Sequence, residues 1–372
     1  MTNWFEHPAA LGSFRAWMRL VARADRIDRE FWPRVAAVGL TTLATSPLRA
    51  VERLRFGRAI DATRVDPSPV FVLGHWRTGT THLLNLLAQD PRFGCISTFQ
   101  AMVPGFVLGT ERRVKPWLAR QLGTSHPTRE IDNMPLDLDA PQEEAFALAN
   151  LTPWASLHAF TLPHQAREWI ERYGFLCGLS ALERREWTAA YLRLLRTATL
   201  RCGGKRLVLK DPTNTGRIPA LLELFPDARF VHIVRDPYRV LPSTLGIYRV
   251  VLAKSQLQRA SEGEIEEAVL AVFERMMRKY LEDRTLIPAG NLAETRYEDL
   301  EARPMGEMAR IYGELGLDGF ETAAPAIEAY LASLGSFRKN QYRVDASVVA
   351  KVNGRWEFAL DAWRYPRLGG ST

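Results

Sequence analysis

Cysteine is scarce in this chain. Its 372 residues hold three, Cys95, Cys177 and Cys202, widely spaced and in no metal-ligand pattern. That argues against a disulfide framework and a cysteine zinc site, and leads us to expect a reducing, cytoplasmic compartment. An H-E-x-x-H motif is also missing, and no metal is expected. Long apolar runs are absent. The nearest, Val35 to Leu48, contains Pro47 and three threonines and falls short of the ~20 residues a spanning helix needs. The opening residues, Met-Thr-Asn-Trp-Phe-Glu-His-Pro, lack the charged head and apolar run of a secretory signal. The expectation is a soluble or peripheral protein.

Charge of one sign is unevenly supplied. The net charge is +7, yet residues 1 to 58 hold ten arginines, no lysine and five acids, so five of those charges lie there. The remainder is nearly balanced. A nucleic-acid binder would more often spread basic residues and aromatics over its main domain, and no such module is seen. Hydrophobic content of 47% and charged content of 24% are those of an ordinary globular protein. The length suits one large domain or one domain with a substantial extension. We expect a helical N-terminal extension over 1–60 and one domain over 61–372.

What is present centres on residues 70 to 85, Val-Phe-Val-Leu-Gly-His-Trp-Arg-Thr-Gly-Thr-Thr-His-Leu-Leu-Asn. Val70 to Leu73 reads as a buried strand introduced by Pro67 and Pro69. Gly74 and Gly79 bracket a turn, and Thr80 and Thr81 open a helix. A strand, a glycine-bracketed loop and a helix N-terminus together form an anion site, because amide groups converge and the helix dipole adds positive potential. The spacing fits the nucleotide P-loop G-x-x-x-x-G-K-[ST] except that Thr80 replaces the lysine. The nearest cation is Arg77, inside the loop. The loop therefore suits a phosphate but lacks the lysine that reaches a γ-phosphate. A turn that binds nothing is the competing reading, disfavoured by the arginine and two threonines.

Around this loop, residues 11 to 60 read as helical. Phe14, Trp17, Met18 and Val21 share a face while Arg15, Arg19, Arg23 and Arg26 lie elsewhere. Packing on the main domain and contact with a membrane surface or apolar substrate are both compatible with that pattern. Residues 95 to 165 contain seven prolines and show no long helical period, as in segments that cover active sites. Glu143 and Glu144 fall in the first turn of a helix there, where carboxylates ordinarily complement the dipole. Further strands are expected at Arg206–Lys210, Arg229–Arg235 and Leu292–Tyr297, with helices at 183–200, 215–225 and 264–282. Strands alternating with helices indicate an α/β, P-loop-like parallel sheet flanked by helices, with ligands beyond the carboxyl ends of its strands. Three strands end at Gly74, Lys210 and Arg235, so a polyanion belongs on that rim.

With these residues in hand, the chain resembles the sulfotransferases that use 3′-phosphoadenosine 5′-phosphosulfate (PAPS). It most resembles a bacterial branch with a Gly-His-Trp-Arg-[Ser/Thr]-Gly-Thr-Thr loop. The likeness runs over about residues 67 to 365 at scattered motifs. It implies that Arg77 contacts the 5′-phosphate and the transferring group, with Thr78, Gly79, Thr80 and Thr81 completing the 5′ loop. His82 follows where the cytosolic steroid and phenol enzymes carry an aromatic residue. Arg235 and Ser243, eight residues apart, match the family's 3′-phosphate pair. Tyr297-Glu-Asp-Leu resembles the element whose tyrosine lies near adenine, and Arg338 and Lys339 resemble a late basic element near the 3′-phosphate. Pro141-Gln-Glu143-Glu144 resembles an element of the bacterial branch where the acid-base residue is expected. The catalytic histidine of the cytosolic enzymes has no counterpart at a matching position.

The resemblance implies transfer of a sulfuryl group to an acceptor hydroxyl, leaving 3′-phosphoadenosine 5′-phosphate. Negative charge builds on the leaving phosphate, where Arg77, loop amides and Thr80 would stabilise it. Lys210 is a second candidate cation. The acceptor proton needs a base, for which Glu143 is the first choice and Glu144 the next. Phe99, Phe106, Trp117, Trp154 and Phe160 could line an apolar, lipid-like or carbohydrate-bearing acceptor pocket or belong to the core. The rivals are a kinase or nucleotidase using ATP and Mg²⁺, and a phosphonucleotide binder without turnover. Contact of the basic N-terminal segment with an anionic membrane surface is a further expectation.

Overall fold

A computed structural model describes residues 7–125, 137–334 and 343–369. Arg338 and Lys339 lie outside the described residues. Five strands are present, β1 Val70–Leu73, β2 Phe93–Gly94, β3 Arg206–Lys210, β4 Arg229–Val234 and β5 Leu292–Arg296. The chain forms two compact units, neither a single stretch of sequence. One comprises Met1–Asp66, Arg92–Leu209 and Val250–Ala260, the other Pro67–Pro91, Lys210–Arg249 and Ser261–Thr372.

In the second unit β1 pairs with β4 and β4 with β5, all parallel, with Val70 opposite Arg229 and Phe230 opposite Leu292. β1 is buried at all four residues, as a strand covered on both faces must be. β5 alternates, with Ala293 and Thr295 buried and Glu294 exposed. The connection from β4 to β5 runs through two helices, Pro237–Ser255 and Glu262–Asp283. Glu262–Asp283 begins with a reciprocal cap. Ser261 Oγ accepts from the Glu264 amide at 3.3 Å, and Glu264 Oε2 accepts from the Ser261 amide at 2.8 Å. Its stripe of Ile265, Val269, Val272, Phe273, Met276 and Tyr280 is buried, the face its sequence period requires.

The first unit is mainly helical, and its β2 and β3 also pair in parallel. Phe14–Val21, Trp32–Ala44 and Ser46–Ala62 are helices, as the sequence indicates. In Phe14–Val21, however, Ala16, Trp17 and Leu20 are the buried residues, while Phe14 and Met18 are exposed. The Trp17 indole donates to the Val35 carbonyl at 3.1 Å, which sets the rotation of that helix.

Two segments differ from the sequence reading. Val107–Ser125 is a nineteen-residue helix with Pro116 inside it, where no long helical period was expected. Its early amides at Leu108 and Gly109 donate to the Glu52 carboxylate at 2.9 and 2.7 Å, a cap drawn from another helix. The segment expected to be one helix from Thr215 to Phe225 is a 3₁₀ turn, Pro212–Gly216, followed by the α-helix Ile218–Leu224. Asp211 starts that turn, accepting from the Thr213 amide at 2.9 Å, and Pro219 sits in the first turn of the α-helix, where its missing N–H costs nothing.

Candidate active site

The glycine loop folds as a cradle. Gly74 has φ +144° and Gly79 φ +100°, conformations that side chains resist. A Cβ at Gly74 would meet the Ile233 carbonyl at 2.5 Å and Thr78 Oγ1 at 2.8 Å, and one at Gly79 would strike the Tyr297 ring. Thr78 Oγ1 donates to the His75 carbonyl at 2.8 Å, closing the turn. The Gly74 amide donates to Thr215 Oγ1 at 2.8 Å, tying the end of β1 to the turn after β3. Thr80–Leu87 then runs as a helix from Gly79, so its first amides open toward the loop.

Two cations meet this cradle. Lys210, buried at the end of β3, donates from Nζ to Thr81 Oγ1 at 3.2 Å. Arg77 sits inside the loop at φ +72°, a conformation that costs an arginine about 1–2 kcal/mol. Its Nε donates to Ser243 Oγ at 2.9 Å. Strain of this kind persists only where surrounding contacts impose it, and it clusters at functional sites.

The loop, Lys210, Ser243, Arg235 and Tyr297 all belong to the second unit. Arg235 and Ser243 are not bonded to each other; both converge on Arg77. The Arg235 guanidinium donates to the Arg77 carbonyl at 3.3 Å and lies over the Tyr297 ring, 4.4 Å from its centroid. Ser243 is buried in the helix Pro237–Ser255. Its oxygen accepts from Arg77, while its hydroxyl proton meets no acceptor among the described residues. His82 is half-buried, one residue beyond Thr81.

Glu143 and Glu144 belong to the first unit. Glu143 precedes the helix Glu144–Leu151 and is half-buried. Glu144 is fully buried and accepts the Tyr191 hydroxyl at 3.0 Å. The segment before them is fixed by a bridge between Ser97 and Pro141 and by the Gln142 amide donating to the Ile96 carbonyl at 2.8 Å. Of the aromatics, Phe99, Phe106, Trp154 and Phe160 are buried, the first two in a core cluster with Val103, Val107 and Leu138. Trp117 is 58% exposed.

Sequence reasoning missed Thr215, which anchors Gly74, and the pair beneath it. Asp211 and Arg217 are fully buried and 3.4 Å apart. Arg217 also reaches the Thr213 hydroxyl. The run Lys210-Asp-Pro-Thr-Asn-Thr carried the signal, since an acid and hydroxyls directly after a strand end favour a side-chain-stabilised turn.

The cradle, two cations and hydroxyls, with no carboxylate between Gly74 and Thr81, fit a polyanionic nucleotide. Comparison with known proteins agrees. A sulfotransferase family profile matches residues 69–322. Omega-hydroxy-beta-dihydromenaquinone-9 sulfotransferase Stf3 of Mycobacterium bovis is 32% identical over 377 residues, spanning 99% of this chain and 94% of that protein. Human carbohydrate sulfotransferase 5 is 24% identical over 94% of this chain and 86% of its own. Among solved structures, sulfotransferase STF9 of Mycobacterium avium aligns with a TM-score of 0.70, covering 97% of this chain and 92% of that one. STF1 of Mycobacterium tuberculosis aligns at 0.67, covering 92% of each chain. Both structures are 20% identical to this chain and bear on the fold alone.

Proposed function

The chain belongs to the sulfotransferase family, and from that premise we propose that it moves the sulfuryl group of PAPS onto the hydroxyl of an apolar, lipid-like acceptor. The observation that carries the donor half is the glycine cradle with Arg77 inside it and Lys210 Nζ on Thr81. PAPS supplies the sulfuryl group. Arg77, Lys210 and the amides from Thr78 to Thr81 would hold the 5′ side, where preorganised donors stabilise charge that develops on a leaving phosphate. Ser243 and Arg235 would hold the 3′-phosphate, Ser243 through the hydroxyl proton that Arg77 leaves unused. Tyr297 would support the adenine, and His82 would stand beside the 5′ loop. Glu143 would take the acceptor proton, because it is half-buried whereas Glu144 is enclosed with Tyr191. No metal enters this scheme.

Two relatives bear on the acceptor class, one named for a menaquinone-derived lipid and one for carbohydrate. The former is 32% identical to this chain and the latter 24%, which favours a lipid-like hydroxyl. We place the protein in the cytoplasm, with residues 1–60 as an extension of a domain at 61–372 and a peripheral contact with anionic membrane. Among the described residues no helix is long and apolar enough to cross a membrane.

The test is incubation with PAPS labelled in sulfur and a total lipid extract. Labelled material in the organic phase is expected, and it should vanish with Arg77→Ala. Label appearing instead from ATP labelled in its terminal phosphate would overturn the proposal in favour of a kinase, which the missing loop lysine at Thr80 already disfavours.

A further inference from the structure

The helix Trp32–Ala44 buries Val35 and Val38, yet its other side is apolar too. Its one charged residue, Arg34, is buried. The guanidinium donates to the carbonyls of Gln256 and Ala253 at 2.7 and 2.9 Å. The solvent side carries what a core would. Trp32 is 52% exposed, Leu40 68% and Leu43 53%, with Pro33, Ala36 and Ala44 exposed on the same spacing. After the single residue Thr45, the helix Ser46–Ala62 continues with exposed Leu48, Val51 and Leu54, the last 86% exposed. A surface helix ordinarily shows charge at such positions, and a run of exposed apolar residues of this length marks an interaction site.

Cations flank this face. Arg29 precedes it and Arg53, Arg55 and Arg58 follow it, all exposed and without a carboxylate partner among the described residues. Of the acids in the second helix, Glu52 is buried on the Leu108 and Gly109 amides and Asp61 lies 3.9 Å from Arg193. Of the arginines nearer the start, Arg19 pairs with Glu186, Arg23 with Glu183 and Arg26 with Asp28. Four exposed arginines without a carboxylate partner among the described residues thus lie next to the apolar residues in sequence.

We propose that the outward face of Trp32–Ala44, continued by Leu48, Val51 and Leu54, is an interfacial anchor that enters the headgroup boundary of an anionic bilayer, with Arg29, Arg53, Arg55 and Arg58 on the headgroups. An uncharged face with tryptophan at one end and an arginine fringe matches the chemistry of that boundary. A second copy of the chain fits less well, since a two-fold interface sets the same patch against itself and would bring the arginine fringes together. The proposal deepens the lipid-like acceptor reading and rests on it for its purpose, but its test does not depend on turnover.

The full chain would be mixed with vesicles of phosphatidylcholine, with and without phosphatidylglycerol, and floated at low and high salt. Flotation with the anionic vesicles at low salt is expected, and its loss at high salt. Leu40→Glu with Leu43→Glu should lower the partition at least roughly tenfold, and each of Arg53→Gln, Arg55→Gln and Arg58→Gln about fivefold. These side chains are exposed, so binding of 3′-phosphoadenosine 5′-phosphate, measured on the same samples, should not change. Wild-type protein that stays at the bottom of the gradient overturns the proposal, as does a double-glutamate variant that floats equally well. A dimer seen by light scattering and dissolved by the same substitutions, without flotation, assigns the face to a second copy and overturns it too. Failure to bind the nucleotide alongside intact flotation would instead count against the sulfotransfer reading alone.

Discussion

Ser243→Ala separates the one job that the structure shows for this hydroxyl, holding Arg77, from the one proposed for it, binding the 3′-phosphate. The oxygen accepts from Arg77 Nε at 2.9 Å, and on the proposed reading the proton goes to a phosphate oxygen. A hydrogen bond to a charged group contributes about 1.5–3 kcal/mol. Affinity for 3′-phosphoadenosine 5′-phosphate should therefore fall roughly ten- to a hundredfold. Adenosine 5′-monophosphate lacks the second contact and feels only the loosened Arg77, so its affinity should fall less than about tenfold. Alanine is the better helix former, and position 243 lies within Pro237–Ser255, so the thermal midpoint should hold. Calorimetric titration of wild type and variant with both nucleotides measures all of this. Equal losses for the two ligands would take Ser243 away from the 3′-phosphate and leave it only as a support for Arg77. No loss for either would remove it from the site.

Three other outcomes are expected. Arg77→Ala should fold but transfer little sulfuryl group, and Arg77→Lys should keep part of the activity, because charge survives without the planar fork; undiminished turnover in the alanine variant would remove Arg77 from the chemistry. Glu143→Gln should lower turnover roughly 10²–10⁴-fold with nucleotide binding intact, while Glu144→Gln should chiefly lower the melting temperature, and a turnover loss confined to the Glu144 variant would reverse the assignment. Burial pushes the imidazoles of His7 and His75 down to about 3 and that of His158 to about 4, so below pH ~6.5 the unfolded chain binds protons that the folded chain refuses. Stability should be full above that pH and fall by on the order of 1.4 kcal/mol per pH unit for each histidine as pH drops toward 4, which denaturant midpoints at about pH 5 and pH 7.5 would show or refute.

Local chemistry made part of this molecule readable from its residues. Val70 to Leu73, the two glycines and the threonines after them lie within a dozen residues, and their conformations follow from sterics and burial that a short window contains. The long helix Glu262–Asp283 was legible for the same reason, since its cap and its period are both local. Partnerships were not legible. That Arg235 and Ser243 each bond Arg77 is not contained in their eight-residue spacing, because a strand end and a helix turn point their side chains by rules that spacing omits. Thr215 reaches Gly74 across 141 positions, and Glu52 caps a helix that begins some fifty residues later. The orientation of Trp32–Ala44 belongs to the same class. Its composition shows one arginine among apolar residues, and the ordinary expectation turns that arginine to water. Two backbone carbonyls more than two hundred residues away turn it inward instead. A charged group leaves water only where fixed donors or acceptors replace its hydration, and those carbonyls do so. With Arg34 held there and Val35, Val38, Gly39 and Thr42 buried beside it, the helix has no rotation left that hides Leu40 and Leu43. The buried hydrogen-bond site is therefore one of the contacts that turn this face outward, and Arg34→Met should test its share by preserving volume while removing those bonds. Reduced vesicle flotation with unchanged nucleotide binding is the expected result, and flotation equal to wild type would show that the face is held outward by something other than Arg34.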